Sequence, residues 1–403
     1  MSISGPYART IEILRELIVF PTISAESNLA LIDHVDALLQ TAGFETTRLP
    51  DPELPKSGLM ARIGGEGRGG ILLSAHSDVV PVEGQAWTRP PFEMTREAGR
   101  VYGRGTTDMK GYLAAMLSLA ERAGKAPPAQ PLMLAISYDE EVGCQGIRKM
   151  LPGMEALGWH PDLCIVGEPT SMRPAIGHKG KAAFRATCHG TAGHSALAPR
   201  FVNALHLAGE LLSTLRGLQD GYAQSNVRDA AYDIPYSTVH AGRMQGGTAL
   251  NIVPDRAEVE FELRHLAADR IEAFETALGQ ATRALAARWQ AEDPAARIEI
   301  ICTNTYPGLD VAPDAPEVAQ AAALCGSDAA IKVAFGTEAG FFAGLGIPTV
   351  VCGPGDMAGQ GHKADEYLEL AQLATCDTMM DQVLARLGGE NEMADPVGVQ
   401  AQA

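Results

Sequence analysis

The sequence predicts an α/β fold: a domain built on a mostly parallel sheet, into which a smaller α+β unit is inserted. Three observations predict it. Short continuous apolar runs alternate with helical spacing early in the chain; strictly alternating runs replace them after Lys179; and the continuous pattern returns near the C-terminus.

In chain order, Ile11, Ile13, Leu14 and Leu17, then Leu29, Ile32, Val35, Leu38 and Leu39, fall on one face at 3.6-residue spacing, so two amphipathic helices open the chain. Gly70 to Ala75, Leu132 to Ser137 and Leu163 to Val166 are continuous apolar runs, the pattern of strands buried on both faces. Between the first two, Lys110 to Arg122 carries Leu113, Met116, Leu117 and Ala120 as a helical stripe. From Ala182 to Cys188 and Glu258 to Leu266 the pattern alternates, with Val259, Phe261 and Leu263 against four charged neighbours, as in strands with one wet face. Helical segments near Asn203 to Leu215 and Ala268 to Ala287 separate these strands, which places both helices on one sheet face. Pro348 to Cys352 restores the buried-strand pattern. The expected division is therefore an α/β domain in two parts, 1–179 and 305–388, an inserted unit at 180–304, and a polar, small-residue tail at 389–403 expected to fray.

At 403 residues the chain has a length prior of about two or three domains. A net charge of −17, with no basic run, disfavours nucleic acid as a partner. No stretch reaches the roughly 18 apolar residues of a membrane span, and Met1 to Val19 lacks the layout of a signal peptide. Seven cysteines without a CxxC pair suit a reduced compartment. A cytoplasmic enzyme without a membrane partner is the expectation.

Chemistry-bearing residues collect at strand ends. His76 and Asp78 follow the first buried strand, where open α/β sheets place their sites, and a nearby carboxylate can hold a ligating imidazole in one tautomer. The same pair would also suit an ordinary polar loop. The glycine-rich loop Gly103 to Gly111 matches neither GxGxxG nor a Walker sequence, and Asp108 would repel a phosphate there; a carboxylate bridging two cations uses the loop better. Asp139, Glu140 and Glu141 end the second buried strand, where three acids are costly unless positive charge faces them or the turn is solvated. In the first case one glutamate ligates metal and its neighbour takes a proton from water. Glu168 follows the third strand and His362 the last. Two imidazoles and three carboxylates form a hard N/O set suited to zinc, cobalt or manganese.

Read in order, HSDVVP, GRGTTDMKG, DEEVG, GEPT, GTAGHS, TALNIVP, GTEAG and GPGDMAGQGHKADEY resemble the M20 family of metallopeptidases and deacylases along nearly the whole chain. The resemblance implies two divalent ions, zinc foremost, bridged by Asp108, with His76 and Glu168 on one and Glu141 and His362 on the other. It makes Glu140 the general base and Asp78 the partner of His76, and implies a cis Asp108–Met109 peptide. The inserted unit then corresponds to the family's lid and dimerisation domain, which implies a homodimer. There His194 would polarise the scissile carbonyl, acting in family dimers from the other subunit, and Asn251 and Arg264 would hold the substrate. Each has a plainer alternative: a turn residue, a cap, and a cross-strand partner for glutamates.

Within the family, YDEEVGCQGIR, EPTSMRPAIGHKGKAAF and FGTEAGFF are most similar to the branch that deacetylates N2-acetyl-L-ornithine. The desuccinylase branch carries an arginine near the GTEAG position, whereas Glu338 stands here and would suit a substrate amine. Other activities of the family, namely aminoacylase, desuccinylase, dipeptidase or carboxypeptidase, are the alternatives, along with a non-catalytic binding homologue.

Overall fold

A computed structural model describes residues 7–24 and 26–389. The expectation of a frayed tail falls on 389–403, of which 390–403 lie outside the described residues. The chain divides into two compact units: one runs from the first described residue to Gly177 and takes in Val311–Ile331 and the chain from Thr337 onward; the other is His178–Asp310 with Lys332–Gly336.

The first unit is built on a large sheet whose leading six strands lie in the order Glu45–Pro50, Ser57–Ile63, Leu132–Ser137, Ile71–His76, Leu163–Pro169 and Thr349–Gly353. The last four of these are mutually parallel. They are buried along their whole length, which is why their sequences are apolar without alternation. Ser57–Ile63 joins antiparallel and carries Glu45–Pro50 outside it as an edge hairpin.

Helix Gly111–Lys125 is the centre of the core. Leu113 to Leu117 and Leu119 to Ala120 are buried on every side of it, because helices Ala8–Ile18, Leu29–Thr41 and Leu370–Leu387 surround it on the face opposite the sheet. Gly167 allows the sheet to approach this helix closely: a Cβ there would meet the Tyr112 ring at 2.0 Å. Tyr112 meanwhile donates to the Ile165 carbonyl at 3.3 Å.

The second unit is a four-stranded antiparallel sheet in the order Thr238–Gly246, Arg256–His265, Gly180–His189 and Arg297–Tyr306. Helices Ala204–Gln224 and Ile271–Gln290 cover one face. Ala182, Phe184 and Ala186 with Val259, Phe261 and Leu263 point into them and meet Leu207, Leu211, Phe274 and Leu278. The Phe184 and Phe261 rings stack at 5.3 Å. The intervening residues of both strands face outward, hence the two-residue period in the sequence. No described helix is long and apolar enough to cross a membrane, and no disulfide joins any of the seven cysteines.

Candidate metal centre

Parallel strands deliver their carboxyl ends to one edge of a sheet, so residues far apart in sequence meet there. His76 is the last residue of its strand and is level with Ser137 on the next. Beyond Ser137 the chain turns sharply through Asp139, whose φ is +53°, and presents Glu140 and Glu141. Glu168 lies inside its strand rather than after it, because pairing with the Thr349–Gly353 strand continues to Pro169.

Asp108 arrives from the loop that opens the buried helix, with the Asp108–Met109 peptide cis. Its two oxygens face two histidines: Oδ1 stands 3.0 Å from His76 Nε2 and Oδ2 3.0 Å from His362 Nε2. Glu168 Oε1 lies 3.8 Å from His76 Nε2, and Glu141 Oε2 lies 2.9 Å from His362 Nε2. The result is two groups of potential ligands, His76 with Asp108 and Glu168, and Asp108 with Glu141 and His362, each with donor atoms within 4.8 Å of one another. Asp108 belongs to both.

The electrostatics show what this arrangement can accept. Burial and the negative charge of Asp108 push Glu141 up to about 7. Burial, Asp108 and Glu140 raise Glu168 well above the usual carboxylate range. Burial raises Glu140 likewise; the His76 charge opposes, and Glu141 and Asp108 add to the rise. Asp108 is the exception: its burial is more than offset by the bonds to His362 and His76, which hold it low. Bonds to Asp108 and Glu141 in turn lift His362 to about 10. For His76, burial opposes protonation, yet bonds to Asp108 and Asp78 carry it well above the usual imidazole value. Four acids thus share two imidazoles, and Glu141 Oε1 is buried without a partner. Cationic charge between these groups would satisfy all of them, and the donor set is that of borderline divalent ions. The residues present fit a two-ion centre.

The supports around the cluster came only partly from the sequence. His76 Nδ1 is 3.0 Å from the Asp78 backbone carbonyl and 3.4 Å from its carboxylate, so the main chain is the nearer partner of the imidazole. The Asp78 carboxylate also accepts Ser24 Oγ at 2.7 Å and the amides of Glu140 and Glu141 at 3.1 and 3.3 Å. Buried Lys56 pairs with Asp139 and donates to the Ser24 carbonyl. Nothing in the sequence pattern pointed to Ser24 or Lys56; Glu366 lay inside HKADEY without a role attached.

Glu338 is 1% exposed, with Oε2 accepting from Ser137 Oγ at 2.8 Å. Burial pushes it up to about 7 against that bond. In the second unit His194 and Asn251 are brought together: His194 pairs with Ile252 across a short two-strand sheet, and the Asn251 carbonyl accepts the Ser195 amide at 3.0 Å. His194 caps Ser195–Arg200 through the Ala196 amide at 3.1 Å. Arg264 is apart from them, bonded to Glu262 at 2.9 Å and the Tyr306 hydroxyl at 2.6 Å.

Comparison with known proteins agrees with this architecture. An acetylornithine deacetylase from Pectobacterium atrosepticum is 33% identical over 381 residues, covering 93% of this chain and 96% of its own. Among solved structures, a tripeptidase from Staphylococcus aureus superposes with a TM-score of 0.75 at 17% identity, over 94% of this chain and 98% of its own. A dinuclear metal-binding peptidase of the M20 family from Bacillus subtilis gives 0.65 at 18% identity, over 95% and 98%. Residues 72–386 match Peptidase family M20/M25/M40, a span that contains every residue of the two ligand groups, and the chain belongs to that family of metal-dependent hydrolases.

Proposed function

We propose that this chain removes the acetyl group from N2-acetyl-L-ornithine, giving L-ornithine and acetate. One observation carries the hydrolytic reading: Asp108 offers one oxygen to each of two ligand groups, with Glu140 beside them and outside both. The acyl group and amino acid are supported by the relative named acetylornithine deacetylase, which matches over nearly its whole length.

His76 and Glu168 would hold one divalent ion, Glu141 and His362 the other, and Asp108 both. When bound, the ions supply Lewis-acid polarisation and lower the pKa of a water; zinc suits the donor set best, with cobalt or manganese as substitutes. Glu140 takes a proton from water as it attacks the acetyl carbonyl, and returns it to the departing amine when the C–N bond breaks. Asp78 holds Glu140 in place through its amide. His194 is assigned the polarisation of the acyl oxygen, contributed by the second subunit of a homodimer, and Asn251 and Arg264 the holding of the substrate. For the dimer, strand Thr238–Gly246 is a sheet edge exposed along most of its length. Glu338 is assigned to the substrate amine, on charge complementarity.

The test is a turnover panel of metal-loaded protein on N-acetylornithine, N-acetylcitrulline, N-succinyl-diaminopimelate, N-acetylmethionine and simple dipeptides. The expected result is the highest kcat/KM for N-acetylornithine, lost with a chelator and restored by zinc or cobalt. A higher value for any other member reassigns the substrate, and chelator-resistant turnover removes the ions from the mechanism.

A further inference from the structure

His362 reaches the cluster from residues 354–366, a stretch without helix or strand, and its own φ is +57°. Its side chain is 47% exposed. An imidazole in such a loop has no sheet to fix it, yet Nε2 stands 3.0 Å from Asp108 and 2.9 Å from Glu141. His76 and Glu168, by contrast, belong to buried strands.

What anchors the loop is an ion pair between Arg104 and Glu366, each 1% exposed and 2.6 Å apart. Glu366 grips the Asp108 loop by its backbone: Oε1 accepts the amides of Thr107 at 2.9 Å and Asp108 at 3.1 Å, and Oε2 accepts that of Gly105 at 3.0 Å. Arg104 reaches the other way. Nη1 lies 3.5 Å from the Lys363 carbonyl, and Nη2 donates to Gln85 Oε1 at 2.6 Å and the Pro81 carbonyl at 3.3 Å. Gln85 in turn donates through Nε2 to the carbonyl of His362 itself at 3.2 Å. The guanidinium sits over the Trp87 ring at 5.0 Å, within cation–π range. One carboxylate and one guanidinium therefore tie the backbone of Asp108 to the backbone of His362.

We propose that Arg104, Glu366 and Gln85 form a positioning clamp that sets His362 against Asp108, so that the ion site of Asp108, Glu141 and His362 depends on the clamp far more than the site of His76, Asp108 and Glu168. The inference rests on the two-ion reading above. Neither Arg104 nor Glu366 touches the ligand atoms; both act through backbone.

The test titrates apo protein with Co(II), followed by visible absorption and by competition with a chromophoric chelator. Wild type should take two equivalents. Glu366→Gln turns an acceptor into a donor facing Arg104 and the Gly105 amide. It should keep the first equivalent within about threefold and weaken the second by about 10- to 100-fold, the usual effect of losing a group that orients a ligand. Gln85→Ala, which removes the arm to His362 and its link to Arg104 but leaves the Arg104–Glu366 pair and the bonds of Glu366 to the Asp108 loop, should weaken the second by about tenfold, and it decides the matter if Glu366→Gln fails to fold by circular dichroism. Two equivalents with unchanged affinities in the variants, or equal weakening of both, would overturn the clamp while leaving the two-ion reading intact. Fewer than two equivalents in wild type would overturn the two-ion reading, and the clamp with it.

Discussion

The Asp78 carboxylate accepts the backbone amide of Glu140 at 3.1 Å. The residue that partners the proposed ligand His76 therefore also fixes the turn that carries the proposed base. Because the Asp78 main-chain carbonyl remains for His76 Nδ1 when the side chain is removed, the turn should suffer more than the imidazole. Asp78→Ala is expected to lower kcat by more than about 100-fold, while ion affinity falls by about tenfold. Steady-state kinetics beside a metal titration checks this. A loss confined to ion affinity would show that Asp78 serves His76 alone.

Glu140 stands beside the ligand groups without belonging to either. Glu140→Gln should retain two equivalents of metal and lose about 10²- to 10⁴-fold in kcat, the contribution of a positioned general base. Near-normal turnover would remove Glu140 from that role.

Lys56 and Asp139 form an ion pair with side chains 4% and 8% exposed. Removing one partner strands the other charge, so Lys56→Met should cost about 3 to 5 kcal/mol of stability. Urea denaturation measures it. The double variant Lys56→Met, Asp139→Asn should recover most of the loss, because the stranded charge is gone; a double variant as unstable as the single would point to lost packing instead.

Asp377, on helix Leu370–Leu387, takes a hydrogen bond from Thr10 Oγ1 at 2.7 Å, while its other oxygen is buried without a partner. Burial pushes it up to about 7; the Thr10 bond and Arg122 oppose, and Asp381 adds to the rise. With a folded value above the unfolded one, the folded state holds the extra proton. This contribution is complete below about pH 4 and is lost as pH rises to about 7. Asp377→Asn should remove that slope, leaving the variant more stable than wild type by up to about 4 kcal/mol at pH 8 relative to their difference at pH 4. Urea midpoints at the two pH values measure it, and parallel pH profiles would refute the assignment.

The legible parts of the fold were those where burial imposes a pattern on consecutive residues. Leu132–Ser137 reads as a strand because both faces are buried, and Arg256–His265 because one is. Strand Ser57–Ile63 escaped that reading although it is almost wholly buried. Gly58 leaves room for Met150, a neighbour distant in sequence whose Sδ would lie 2.3 Å from a Cβ there; Arg62 interrupts the apolar run and donates to the Gly65 carbonyl at 2.9 Å.

By itself the sequence determined the buried parallel strands, the alternating strands of the second unit and the five residues that could hold ions, because strand ends, glycine loops and residue types are local properties. The family resemblance implied that Asp108 joins the two groups; the tertiary structure alone gave the geometry, one oxygen 3.0 Å from His76 and the other 3.0 Å from His362, across 32 and 254 residues of chain. It alone revealed Lys56 beside Asp139 and Glu366 beneath the Asp108 loop. The physical reason is that these supports act through backbone amides and buried charge pairs. Such groups leave no periodicity in sequence and acquire their partners only when the chain closes.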